Sequence, residues 1–262
     1  MPYTTCMNKK VYYEVHGSGE PLVMLNGIMM SALSWQMFLP ELTKTHQVIL
    51  LDFFDQGKSD KMTEDYKQDI QVSAVKAVLD ELKLDKVNLF GISYGGEIAI
   101  TFAIKHPTYI QRLLLFNTTA YTNPWLHDIG RGWVQAAETN NAELFYDISI
   151  PIIYSPLFYT RQIEWMNERK GFLYGVFNEE FLAATIRLIE SAEGFDVREQ
   201  LGEINVNTLV VSSDYDFVTP ATEQELIHRS IPGSSYIQIK NCGHASMYER
   251  PTEFMAILKG FV

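Results

Sequence analysis

Cysteine is scarce: Cys6 and Cys242 are the only two in 262 residues, too few for a disulfide framework. Positive charge is also short, with 21 lysines and arginines against 32 acids and a formal net charge of −11. A surface of that sign repels nucleic-acid phosphates and anionic lipid headgroups, so neither a nucleic acid nor a membrane is expected as a partner. No apolar run nears the roughly 18–20 residues needed to cross a bilayer. The longest, such as Val48-Ile-Leu-Leu51 and Leu113-Leu-Leu-Phe116, stop after a few positions. The opening MPYTTCMNKK lacks the apolar core of a secretory signal, and with two cysteines this leads us to expect a cytoplasmic protein. Missing too are an H-E-x-x-H motif, any other metal-ligand cluster, internal repeats and low-complexity tracts, so neither metal nor cofactor is implied. What the chain does have is apolar material: 47% hydrophobic residues, ample for the core of one large domain or of a domain with an insertion.

Several short apolar runs do not alternate, which is the pattern of strands buried on both faces of a parallel sheet. They are Leu22–Leu25, Val48–Leu51, Val87–Phe90, Leu113–Phe116 and Leu209–Val211. Helical periods lie between and after them, with Val75, Val78, Leu79 and Leu82 on one face and Phe254, Ile257, Leu258 and Phe261 on another. Strands alternating with helices predict an α/β fold, a mostly parallel central sheet with helices on both faces, and a ligand site beyond the carboxyl ends of the strands. The stretch Val11–Val15 followed by Gly17-Ser-Gly19 predicts an antiparallel hairpin where the sheet begins.

One interval breaks the rhythm. About ninety residues separate the strand ending at Phe116 from the one starting at Thr208, where a crossover helix with its loops needs a few tens. Residues 120–195 hold 14 of the 33 aromatics, a modest enrichment that suits an inserted helical cap with its own core, a lid over an apolar pocket, or both. The expected division is a core of residues 1–119 and 196–262 carrying a cap of residues 120–195.

Directly after the strand Val87–Phe90 comes Gly91-Ile-Ser93-Tyr94-Gly95-Gly96, then the helical run Glu97–Ala103. A G-x-S-x-G between a buried strand and a helix is a nucleophile elbow: the sharp turn holds the serine hydroxyl out at the helix's positive end. Glycine two residues to either side lets strand and helix pack that closely. A dinucleotide loop is a poor rival, since Ser93 stands where the middle glycine of G-x-G-x-x-G belongs.

On these residues the chain resembles the α/β-hydrolase superfamily, almost end to end outside 120–195. The resemblance extends to Pro21-Leu-Val-Met-Leu-Asn26-Gly27 with Trp35, where asparagine replaces the usual histidine. It includes Asp52-Phe-Phe-Asp55-Gln-Gly57-Lys-Ser59, where Phe54 and Asp55 replace arginine and glycine. It implies an α/β-hydrolase fold with an inserted helical cap and a metal-free Ser-Asp-His triad. A serine hydroxyl needs a base, and the base an orienting carboxylate. The family's acid position aligns with Asp216, with Asp214 in the same loop as the alternative, and the base is His244 in Asn241-Cys-Gly-His244. Of the other five histidines, His16 falls in the expected hairpin turn and His106 in the Lys-His-Pro helix exit, while His46, His127 and His228 have no serine or carboxylate at useful spacing. The backbone N–H groups of Ile28 and Tyr94 are the expected oxyanion hole.

The activity implied is hydrolysis of a small or medium, largely apolar carboxylic ester through an acyl-enzyme on Ser93. Thioester, lactone or carbon–carbon bond hydrolysis with the same triad stays open, as does a receptor of the same fold that binds a small molecule without turnover. The expected partner is thus a small-molecule substrate, and the residues expected around it are Asn26, Met29, Tyr121 and Trp125, with Met30 beside them.

Overall fold

The non-alternating runs are buried strands because helices cover both faces of the sheet they form. The computed structural model describes residues 2–262. The strands are β1 Tyr3–Cys6, β2 Lys9–His16, β3 Glu20–Leu25, β4 His46–Leu51, β5 Val87–Ile92, β6 Ile110–Phe116, β7 Asn207–Ser213 and β8 Ser235–Ile239. They form one sheet in the order β1-β2-β4-β3-β5-β6-β7-β8. From β4 to β8 every neighbour is parallel, whereas β1 with β2 and β2 with β4 are antiparallel. The helices outside the insertion are α1 Leu39–Leu42, α2 Asp69–Glu81 and α3 Tyr94–Lys105, then α9 Ala221–Ser230, α10 Ser246–Glu249 and α11 Pro251–Phe261. This is the α/β-hydrolase fold.

The chain leaves β3 toward one edge, to β4, and returns on the other side of β3 as β5. That reversal opens a crevice at the carboxyl ends of β3 and β5, where parallel sheets bind ligands. The loop after β3 begins at Asn26 and the loop after β5 is the Ser93 turn, so the topology alone brings Gly27 and Ser93 together.

The opening of the sheet differs from the sequence expectation. The hairpin is β1–β2, turned at Met7 and Asn8, which both take left-handed backbone angles (φ 52° and 61°). Gly17-Ser-Gly19 instead leads from β2 into β3, which pairs with β4 and β5 and not with β2. Both glycines have positive φ and pass against the backbone of Thr45 and His46, so the turn seats β3 beside β4.

One face of the sheet is covered by α2, α3 and α9 through Val75, Val78, Ile98, Phe102 and Ile227. The other is covered by α11 and the short helix carrying Trp35. Here Phe90 meets Trp35 edge-on at 5.4 Å and Phe254 at 5.7 Å. Each such ring, fully buried, contributes on the order of 1.5–3 kcal/mol.

Between β6 and β7 stand five helices, α4 Pro124–Glu138, α5 Ala142–Ile153, α6 Pro156–Arg161, α7 Ile163–Val176 and α8 Glu179–Ser191. Asn123, Asn141, Ser155 and Asn178 cap α4, α5, α6 and α8 by accepting backbone N–H bonds. An isolated antiparallel bridge between Tyr121 and Asp196 closes the neck of the insertion. Its own core gathers Phe145, Tyr146, Phe177 and Leu182, with Phe145 and Phe177 edge-to-face at 5.0 Å. Among the described residues no helix is long and apolar enough to cross a membrane.

A buried ion pair ties the insertion to the sheet. Asp55 takes a left-handed backbone angle (φ 70°), and its wholly buried carboxylate takes Arg187 of α8 through Nε at 3.1 Å and Nη2 at 2.6 Å. Replacing Arg187 with methionine leaves Asp55 buried without its counter-charge. We expect a loss of about 2–4 kcal/mol, discounted for the part of Arg187 that meets water. Urea unfolding checks this, and a change below about 1 kcal/mol refutes it.

Candidate active site

Ser93 sits at the N-cap of α3 with φ 54° and ψ −127°, a backbone strain on the order of 1–3 kcal/mol that the surroundings must hold. They do so by crowding. A Cβ on Gly91 would fall 2.3 Å from the Gly95 carbonyl oxygen, and one on Gly95 would fall 2.5 Å from the Leu25 carbonyl oxygen. The Ser93 N–H donates to Phe116 O at 3.0 Å, and Thr118 Oγ1 donates to Ser93 O at 2.7 Å.

From β7 and β8 come the other two groups. His244 Nε2 lies 2.9 Å from Ser93 Oγ, and His244 Nδ1 lies 2.8 Å from Asp216 Oδ2. A carboxylate only accepts, so Nδ1 carries the ring proton and Nε2 is left as the acceptor for the serine hydroxyl. Asp216 is held by four further donors. The Val218 and Thr219 N–H groups reach Oδ1, each at 2.9 Å, and Thr219 Oγ1 and Asn117 Nδ2 reach Oδ2, each at 3.0 Å. Asp214 is exposed and accepts the Cys242 N–H at 3.1 Å, so it braces the neighbouring loop and does not approach the imidazole. Burial pushes the Cys242 thiol up to about 12, which keeps it protonated and unreactive. Among the described residues no group of three or more His, Cys, Asp or Glu is placed to hold a metal ion.

The inserted helices brace the His244 segment directly. The His244 N–H donates to Ile153 O at 2.9 Å. Glu249 of α10 accepts the Ser155 N–H at 2.9 Å and also the Ser155 hydroxyl, so the corner between α5 and α6 is bonded to the segment that carries His244.

The Ile28 and Tyr94 N–H groups have no hydrogen-bond partner among the described residues. Gln56, buried in the loop after β4, sets the first of them. Its Nε2 donates to Gly27 O at 2.8 Å and Ile28 O at 3.1 Å, and in a trans peptide the Ile28 N–H points away from the held Gly27 carbonyl. Gln56 Oε1 accepts from Asn26 Nδ2 at 3.0 Å, and Asn26 Oδ1 accepts from Trp35 Nε1 at 2.7 Å.

Ser93 and His244 open into a cavity of about 360 Å³ between α4, α8 and the loop after β3. Met29, Leu126, Ile129, Trp133, Ile189 and Val218 supply its apolar wall.

The family described as alpha/beta hydrolase fold matches residues 20–251. The chain belongs to the alpha/beta hydrolase fold family. Its structure is similar to that of MGS-M2, an alpha/beta hydrolase enzyme from a Medee basin deep-sea metagenome library. The two share 44% identity at a TM-score of 0.97, over 99% of this chain and 96% of that one. It is 28% identical to a proline iminopeptidase of Saccharolobus solfataricus over 95% of this chain and 87% of that protein. It is 27% identical to Lipase 3 of a Moraxella species over 92% of this chain and 77% of that protein.

Of the pocket residues expected from sequence, this hydrolase brings only Met29, with Met30, to the cavity. Asn26 is fully buried and spends its amide on Leu51 O, Gln56 and Trp35. Tyr121 turns its ring under Arg198, 3.9 Å from the guanidinium carbon. Trp125 lies half exposed and donates to Phe217 O at 2.6 Å. The residues missed on α4 are the neighbour of Trp125 and two more one and two turns further on. Leu126, Ile129 and Trp133 recur at helical spacing, a signal that marks one face of α4 without saying what that face covers.

Proposed function

We propose that this alpha/beta hydrolase cleaves a small to medium, largely apolar carboxylic ester through an acyl-enzyme on Ser93. The observation that carries the reading is the unbroken chain Asp216–His244–Ser93, with both contacts under 3 Å, opening into an apolar cavity. His244 Nε2 takes the Ser93 proton as Oγ attacks the ester carbonyl. The oxyanion faces the Ile28 and Tyr94 N–H groups. Collapse breaks the bond to the alcohol, which leaves with the proton from His244. Water, deprotonated by the same imidazole, then releases the acid and restores the serine. Residues 1–119 and 196–262 serve as the catalytic core in this reading, and residues 120–195 as its cap. A relative named a lipase favours an ester substrate, and the apolar wall favours an apolar acyl group.

A series of p-nitrophenyl esters tests this. We expect kcat/KM to climb by up to about fourfold per added methylene, the worth of burying one CH₂, until the cavity fills and the trend reverses. A flat profile, or turnover confined to charged or sugar esters, overturns the assignment. Assaying thioesters and lactones on the same sample ranks the leaving groups, since the acyl step is common to all.

A further inference from the structure

The cavity that holds Ser93 is lined by several polar side chains the hydrolytic steps do not use, and the deeply buried acid among them is Glu97. Glu97 lies one turn along α3 from Ser93, about 6 Å of helix rise, and lines the same cavity while only 4% exposed. Among the described residues no cation pairs with it. Its single side-chain partner is Gln68 at the start of α2, whose Nε2 donates to Glu97 Oε2. With Oε2 engaged as an acceptor, Oε1 is left, and it has no partner among the described residues. Desolvation pushes the Glu97 carboxyl up to about 8, so at neutral pH it is mostly an uncharged acid with its proton on Oε1. The charged and titratable groups that share the cavity are Tyr94 of α3, His127, Arg131 and Glu138 from α4, Glu190 in the last turn of α8, Glu193 just past its end, and His244. Three carboxylates against one guanidinium give no reason for Glu97 to ionise, and Glu190 itself is raised by burial and by its acidic neighbours.

We propose that Glu97 determines acyl specificity by donating a hydrogen bond from its carboxyl to an uncharged oxygen acceptor about four bonds beyond the scissile carbonyl. The inference rests on the esterase reading and narrows it: the substrate class becomes esters whose acyl chain carries a keto or ether oxygen on an otherwise apolar framework. An aliphatic acyl group of the same length leaves the donor unpaired inside the cavity, and discrimination by unpaired polar groups exceeds that of a missing methylene.

The test compares p-nitrophenyl 5-oxohexanoate with p-nitrophenyl hexanoate at pH 6.5. Wild type is expected to favour the oxo ester by at least about tenfold in kcat/KM. Glu97→Gln keeps a donor and is expected to keep the larger part of that ratio, while Glu97→Leu brings it near one. The wild-type ratio also declines as pH rises through about 8, because an ionised carboxylate accepts and does not donate; the Glu97→Gln ratio stays level. An unchanged ratio in Glu97→Leu overturns the proposal, as does a wild-type preference for an ammonium-bearing acyl ester, which needs the ionised form. Labelling with a fluorophosphonate is run beside it. Labelled Ser93 with no oxo-ester preference removes this inference alone, whereas no labelling removes the esterase reading first.

Discussion

Ser93→Ala is expected to lower kcat for ester hydrolysis by about 10⁴- to 10⁶-fold while leaving the fold in place. In the proposed mechanism the alcohol that would form the acyl-enzyme is gone, and the residual rate over water would come from the oxyanion donors and the cavity. The change also removes one methyl-sized polar group from a turn whose strain stays, since alanine must adopt the same φ of 54°. Thermal unfolding is therefore expected to move little. The measurement is steady-state turnover of a p-nitrophenyl ester combined with mapping of a fluorophosphonate adduct by mass spectrometry. Wild type should carry the adduct on Ser93 and the variant should carry none. An adduct on any other residue, or a variant within tenfold of wild type, removes the acyl-enzyme mechanism.

How far the molecule could be read from its sequence depends on what kind of constraint each part obeys. Strands buried on both faces announce themselves as unbroken apolar runs, and β3 to β7 fall where Leu22, Val48, Val87, Leu113 and Leu209 mark them. The elbow is legible for a local reason, because only glycine fits at positions 91 and 95 beside a serine with positive φ. The hairpin at the start was misplaced because Met7-Asn8 is an inconspicuous turn beside Gly17-Ser-Gly19, and both satisfy the same local rule. The cavity wall was the least legible part. Aromatic content marks 120–195 as having something to bury, but Tyr121 and Trp125 could turn toward the cavity or away from it with equal local justification. Only the packing of α4 against α8 decides that Leu126, Ile129 and Trp133 face inward. Gln56 was invisible for a different reason. Its role is a set of bonds across 28 to 30 positions, to Asn26, Gly27 and Ile28, and no spacing in the chain announces such a contact.

Two acids in one loop, Asp214 and Asp216, read almost alike in sequence, and their separation in space makes the second large effect. Asp216→Asn is expected to lower kcat by about 10³- to 10⁴-fold. An asparagine keeps the size and can still accept the Val218 and Thr219 N–H bonds, but its amide nitrogen competes with the imidazole N–H. The ring then favours the tautomer with its proton on Nε2, facing Ser93 Oγ, where an acceptor is required. Asp214→Asn removes one charge from an exposed side chain that, among the described residues, accepts the Cys242 N–H, a bond an amide oxygen can also accept. Its kcat is expected to stay within about threefold of wild type, the scale of a surface change below about 0.65 kcal/mol. Parallel kinetics on the two variants, each checked for wild-type circular dichroism, decide between the acids. A large loss in Asp214→Asn with little in Asp216→Asn would mean that the loop rearranges in solution and that the carboxylate on His244 is the other one.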